Sequence, residues 1–175
     1  NNGAVGFNGS DNYIDLGSDP SETGRVFSSG AFTVSAWVKS ANTVPGGGYS
    51  NVQNIVGFPS NNVGHLAIIH TTGKLAYWDY GASAWKYGNT PLTSNQWYHV
   101  VLVFDGDDGA FLYLNGLADS AEQSWVGTAA QKRCTVRYIG AQDPSRYFNG
   151  QIANTQIYNR ALTYAEIKQN FEAQA

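Results

Sequence analysis

Five aromatic residues, Tyr77, Trp78, Tyr80, Trp85 and Tyr87, crowd into one short stretch of a 175-residue chain, with Asp79, Lys86 and Asn89 interleaved among them. Rings of this kind stack on the apolar CH faces of sugars, while sugar hydroxyls need fixed polar partners such as Asp, Asn and Gln. Trp125 in one long loop, and Arg146 with Tyr147 in another, supply a rim for the same chemistry. The candidate ligand-binding residues are therefore Trp78, Asp79, Tyr80, Trp85, Tyr87, Trp125, Arg146 and Tyr147. The competing reading is that half of these rings fill a core, because aromatic side chains also favour strands.

Bond-breaking chemistry has less to draw on. Glycoside hydrolysis needs two carboxyl groups flanking the scissile bond, and the chain has only four Glu: Glu22, Glu122, Glu166 and Glu172. No Glu-x-Asp-x-x-Glu arrangement occurs, and Asp11 and Asp15 flank a short strand where turn and backbone contacts suit them better. Of the three His, His65 and His70 differ by an odd number and face opposite ways on a regular strand, so they cannot share a metal. His99 interrupts an apolar run and reads as a core histidine hydrogen-bonded to backbone or a neighbouring loop. The chain is expected not to be an enzyme.

The elements that must position these residues are strands. Trp97 through Phe104 is apolar on both faces apart from His99, which demands cover on both sides, and the run 110–116 returns beside it. Asn115-Gly116 supplies the positive φ of a tight turn. Residues 4–9 and 13–17 read as two short strands joined by a turn at Ser10, Asp11 and Asn12. In 32–40, Phe32, Val34, Ala36 and Val38 share one face, leaving Trp37 on a mostly polar one. A Gly-rich loop follows from Ala41 to Asn51, then strands at 54–58, 65–70, 74–80, 84–88 and 135–140. Only the end is helical: Thr163 and Glu166 form a capping box, with Leu162 and Ile167 as the hydrophobic staple. Strands and turns alternating at this spacing predict an all-β fold, a two-sheet antiparallel sandwich or jelly roll with one short C-terminal helix.

Composition sets outer limits. One core fits a chain of this length, so residues 1–175 read as a single domain. Charged residues are 13% of the chain, roughly half the usual share, against 14% aromatic. A net charge of −3 with 10 Lys and Arg lacks the basic stripe of a nucleic-acid footprint, and no apolar run reaches a membrane span. The single Cys134 rules out an internal disulfide and reads as a small buried or half-buried strand residue. The absence of Met suggests a domain excised from a longer protein.

The order FNGSDNYIDL, FTVSAWVK, WYHVVLVFDG, LYLNG and YFNGQIANTQIYNRALTYAEI, the last at 147–167, resembles the laminin-G-like, concanavalin A-like jelly-roll domains of the lectin-glucanase superfamily. Its most specific parts are Trp97-x-His99 and the closing Ile157 to Leu162. The resemblance implies two antiparallel sheets, one concave and one convex, and a module that binds glycans or proteins without catalysis, although some relatives are glycoside hydrolases. It also implies a structural or ligand-bridging Ca²⁺ held by carboxylates and loop carbonyls. The family's Ile-Asp-Glu-Val-like stretch is here Ile152, Ala153, Asn154 and Thr155, so a methyl group replaces the expected carboxylate. Asp11 and Asp143 remain as candidate donors, while Asp107 and Asp108 read as hairpin chemistry. Two functions follow as expectations. The first is a carbohydrate-binding or adhesion module of a larger extracellular or virion-surface protein, its partner a glycan or cell-surface polysaccharide. The second is a structural or protein-binding domain, such as a phage decoration or fibre domain, meeting a virion or host surface protein.

Overall fold

The strand from Tyr98 to Phe104 has all seven side chains buried, and the rest of the molecule is arranged to cover its two faces. The computed structural model describes residues 3–17, 26–27, 30–43, 52–57, 66–68, 72–79, 81–107, 109–124, 134–142 and 146–175. In chain order the elements are β1 (Val5–Asn8), β2 (Ile14–Asp15), β3 (Val26–Phe27), β4 (Phe32–Ser40), β5 (Gln53–Gly57), β6 (Leu66–Ile68), β7 (Lys74–Asp79) and β8 (Ala84–Pro91). They continue with β9 (Tyr98–Phe104), β10 (Gly109–Leu114), β11 (Leu117–Ala118), β12 (Gln123–Ser124), β13 (Cys134–Thr135), β14 (Tyr138–Ile139), β15 (Asn149–Tyr158) and α1 (Tyr164–Gln174).

Two antiparallel sheets make the sandwich. The seven-stranded sheet runs β1-β15-β4-β9-β10-β11 with β12 also on β10, and the six-stranded sheet runs β2-β14-β5-β6-β7-β8. A small ribbon pairs β3 with β13. Between the sheets lie Phe32, Val34, Ala36 and Val38 of β4 and Tyr98, Val100, Leu102 and Phe104 of β9, against Ile55, Val56, Leu66, Leu75 and Tyr77. Gln53 ties the layers together: its Oε1 accepts from Ser40 Oγ and from the Asn149 backbone N–H, both at 3.1 Å.

The outer face of the seven-stranded sheet is closed by α1. Val101 and Val103 of β9 pack with Leu162 and Ile167, the staple pair expected from the sequence. The capping box forms as read, with the Thr163 side chain accepting from the Glu166 N–H and Glu166 reaching back to the Thr163 N–H at 2.8 Å. Gly116, at φ +75°, is required twice over, since the turn is left-handed there and a Cβ would sit 3.0 Å from the Phe171 ring of the helix. This packing explains why the second face of β4, polar in sequence, is also buried. Thr33 donates from Oγ1 to the Arg160 carbonyl and accepts from the Leu162 N–H, both at 2.9 Å, so its hydroxyl is satisfied by the segment leading into α1.

One local expectation is extended and another corrected. The two short strands near the N-terminus form with a turn between them as read, and they lie in different sheets, β1 pairing with β15 and β2 with β14. Asn8 builds the turn between them, its Oδ1 accepting from the N–H of Ser10, Asp11 and Asn12, and that turn carries the chain across the sandwich. The run 135–140 is split, because residues 134–135 pair with β3 and 138–139 with β2 and β5. Short strands take their partners from the layers around them, which local alternation cannot specify.

Candidate functional site

Alternation along β7 sends Leu75 and Tyr77 into the core and leaves Trp78 on the outer face of the six-stranded sheet. Trp85 of β8 lies directly opposite Trp78 in the register, and Tyr87 lies opposite Ala76 one pair further along. The two indole rings meet edge to face, with centroids 5.3 Å apart and planes at 67°. Trp78, Trp85 and Tyr87 are all half-buried, so each presents part of its ring to solvent. Burial raises the Tyr87 hydroxyl above its ordinary pKa.

Asp79 is not brought together with these rings. It follows Trp78, so it turns to the other side of the strand, where it is fully buried and its Oδ1 accepts from the N–H of Gly81 at 3.0 Å and Ala82 at 3.1 Å. This is turn chemistry: the carboxylate fixes the β7–β8 connection and thereby the register that pairs the two tryptophans. Burial and then the Asp79 charge push the hydroxyl of Tyr77, also core-facing, well above the usual phenol range. Tyr80, Trp125 and Asp143 lie outside the described residues, as do His65, His70 and Asp108.

Arg146 and Tyr147 belong to a second aromatic group at the opposite side of the same sheet. Tyr13 contacts the Tyr138 ring at 5.5 Å and the Tyr147 ring at 6.2 Å, and the Arg137 guanidinium lies 4.8 Å over Tyr138. Tyr13 and Tyr138 were missed in the sequence, since only the pairing of β2 with β14 brings them together. Arg146 holds a left-handed backbone at φ +53°, its carbonyl accepts from the Asn54 N–H at 3.1 Å, and its guanidinium donates to Gln142 Oε1. Gly57 admits this segment to the sheet, because a Cβ there would lie 1.8 Å from the Ala141 carbonyl oxygen. In strand order the face thus reads Tyr138 on β14, Asn54 and Gly57 on β5, β6, Ala76 and Trp78 on β7, and Trp85 and Tyr87 on β8.

Of the two candidate metal ligands, only Asp11 lies among the described residues. Asp11 is exposed and its Oδ1 accepts from Asn8 Nδ2 at 2.7 Å and Asn12 Nδ2 at 3.4 Å, which is the turn between β1 and β2. Ala153 sits opposite Trp37 just before a bulge in β15, with no donor to offer. Among the described residues no three of His, Cys, Asp and Glu come together as a metal site. Asp105 is likewise engaged, its Oδ1 accepting from the N–H of Asp107 and Gly109 to shape the β9–β10 hairpin.

His99 is buried on the helix side of the molecule, yet it differs from the expected hydrogen-bonded core histidine. Neither ring nitrogen has a hydrogen-bond partner among the described residues. Its surroundings are Trp37 at 5.5 Å and Phe171 at 6.1 Å, ring to ring, while Asn115 satisfies only the His99 backbone. Desolvation in that stack holds the imidazole down at about 4.

The fold is shared with several solved structures. The heptameric SAP-like pentraxin of Limulus polyphemus matches with TM-score 0.63 at 18% identity, over 94% of this chain and 79% of that one. A candidate carbohydrate-binding protein of Bacteroides ovatus matches with TM-score 0.65 at 22% identity, over 95% of this chain and 46% of that one. The receptor-binding domain of the botulinum neurotoxin mosaic serotype C/D matches with TM-score 0.71 at 16% identity, over 98% of this chain and 42% of that one. The chain therefore spans most of the pentraxin but less than half of the other two. No curated protein matches it in sequence. Among the described residues no helix is long and apolar enough to cross a membrane. A laminin-G-type family model covers residues 8–168, and the chain, with its two-sheet antiparallel sandwich, belongs to the concanavalin A-like lectin/glucanases superfamily.

Proposed function

We propose that this domain is a non-catalytic carbohydrate-binding module, and that it holds its glycan on the outer face of the six-stranded sheet. The observation that carries the reading is the Trp78–Trp85 pair with Tyr87 beside it, a half-exposed aromatic surface on the sheet face that α1 does not cover. Edge-to-face indoles give a stepped apolar surface that suits the puckered CH face of a pyranose, and net charge contributes little to such a contact. Arg146 and Tyr147 form the far rim, joined by Tyr13. The likeness to a candidate carbohydrate-binding protein and to a receptor-binding domain supports binding as the task. The module works within a larger protein at a cell exterior or on a virion surface. Calcium has no part in holding the glycan.

A second reading has its own observation. On the other side of the molecule Tyr164 and Leu117 are exposed large apolar residues at 48% and 61%, and Tyr164 stands 6.4 Å from Tyr113. That favours a protein neighbour at the helix face, as a decoration or fibre domain would have. A glycan array probed with the isolated domain separates the two. Binding to a defined set of neutral saccharides, lost in Trp78→Ala and Trp85→Ala proteins that still melt cooperatively, supports the glycan reading; a blank array overturns it.

A further inference from the structure

Asn54 occupies the middle of the same face. Its backbone is in register with Ala67 of β6, which pairs in turn with Ala76 of β7, the neighbour of Trp78. Gln53 before it points into the sandwich, and the register slips just after it, so a bulge sets the direction of the Asn54 side chain. That side chain is 0% exposed, and both its oxygen and its nitrogen lack a hydrogen-bond partner among the described residues. An amide can donate twice and accept twice, and leaving all of this unmet in a dry site is more costly than placing an apolar residue of similar size there. Packing alone does not call for an Asn at this position.

The surroundings carry a second cost at the same point. The Asn54 N–H donates to the carbonyl of Arg146, the residue held at φ +53°, so the segment leading to Tyr147 is tied to β5 at this residue. The unpaired amide gains partners when this tie loosens, so loosening recovers part of what burial of the amide costs.

We propose that Asn54 is the hydrogen-bonding contact of this face for a neutral oligosaccharide, donating to one ring hydroxyl and accepting from its neighbour as the Arg146 segment gives way. This rests on the glycan reading above. Asn54 on β5 and Trp78 on β7 are two strand spacings apart, roughly 10 Å, so one ring on the amide and another on the tryptophans demand an oligosaccharide rather than a single sugar.

The test uses the whole domain run through native gels containing soluble mixed-linkage β-glucan, galactomannan or arabinoxylan, with wild type beside Asn54→Ala and Asn54→Leu, and thermal melts of each protein. The expected result is that both variants melt at or above the wild-type temperature while retention by the polysaccharide that slows wild type weakens by about tenfold or more. Retention equal to wild type overturns the inference and leaves the glycan reading standing. So does a melting temperature several degrees below wild type in both variants, whatever the retention, since Asn54 would then be bridged structurally in the closed state. A wild-type domain that no polysaccharide slows, in a protein blank on the array, removes the glycan reading and this contact with it.

Discussion

The outer faces of the two sheets begin from similar materials and end differently. Each carries a tryptophan and a buried polar side chain with no hydrogen-bond partner among the described residues: Trp37 beside His99 on the seven-stranded sheet, and Trp78 two strands from Asn54 on the six-stranded sheet. On the first, α1 lies across the rings. Phe171 stacks on Trp37 at 5.7 Å with planes at 22°, and the indole Nε1–H donates to Gln174 Oε1 at 3.0 Å. On the second the tryptophan meets another tryptophan of the neighbouring strand edge to face and stays half-exposed. An aromatic strand residue is therefore not a ligand site by composition. What decides is whether the chain itself supplies the covering element.

The sharpest way to break this comparison is to loosen the cover. Ile167 is fully buried under α1 against Val101 and Val103. Ile167→Ala should cost about 2–5 kcal/mol in denaturant unfolding, through lost transfer energy and the cavity left behind. The folded fraction should still bind glycan, since the other face is untouched. If instead binding fails while stability holds, the helix side is the site and the assignment of faces is reversed.

Acid tests the same side through His99. Its folded pKa of about 4 lies below the unfolded 6.5, so between these values the unfolded state binds more protons and stability rises with pH. The contribution is complete above pH 6.5 and is lost as pH falls through about 4, on the order of 3 kcal/mol in all. Glu166 acts in a lower window. The Arg160 hydrogen bonds, and then those within the capping box, hold its carboxyl down at about 2 from 4.5, so its contribution is present above pH 4.5 and fades toward pH 2. His99→Phe should flatten the stability profile between pH 4 and 6.5 and leave the lower limb in place; an unchanged upper limb would show that the imidazole is hydrated or paired in solution.

On the uncovered face the expected effects are smaller and fall on binding. Trp78→Ala and Trp85→Ala should each weaken glycan affinity by roughly two- to tenfold, from the 0.5–1.5 kcal/mol of an aromatic contact. Trp37→Ala should lower the melting temperature more than either and leave affinity alone. Calorimetric titration of the three folded variants ranks them directly, and equal losses in all three would mean that both faces contribute.

How much of this was legible depended on whether the deciding contact was local. Strand β4 could be read off Phe32, Val34, Ala36 and Val38, and the helix start off Thr163 and Glu166, because alternation and capping are written within a few residues. The Trp78–Trp85 pair was nearly as plain, for a hairpin register follows from its own turn. Asp79 shows the limit of composition: its type suited a sugar contact, yet period-two alternation had already placed it on the opposite side from Trp78. Tyr13, Tyr138 and Asn54 carried no local signal. They meet the rim only through β2, β14 and β5, strands whose partners lie far away in the chain. His99 was read as buried, but its ring stack waits on a helix more than sixty residues later.

Calcium gives the smallest expected effect. A bound ion stabilises the native state in proportion to the logarithm of its free concentration over its dissociation constant, so any site of useful affinity raises the melting temperature in millimolar Ca²⁺. Here the closing strand offers Ala153, and Asp11 already accepts from two Asn side chains in its turn. A hard cation wanting six to eight oxygens finds no cluster of three or more His, Cys, Asp and Glu side chains among the described residues. Thermal melts with 5 mM Ca²⁺ and with chelator should therefore agree within about one degree, and glycan affinity should be the same in both. A rise of many degrees that chelator reverses would locate a site on loops beyond the two faces compared above, and Asp11→Asn would then show whether the first turn belongs to it.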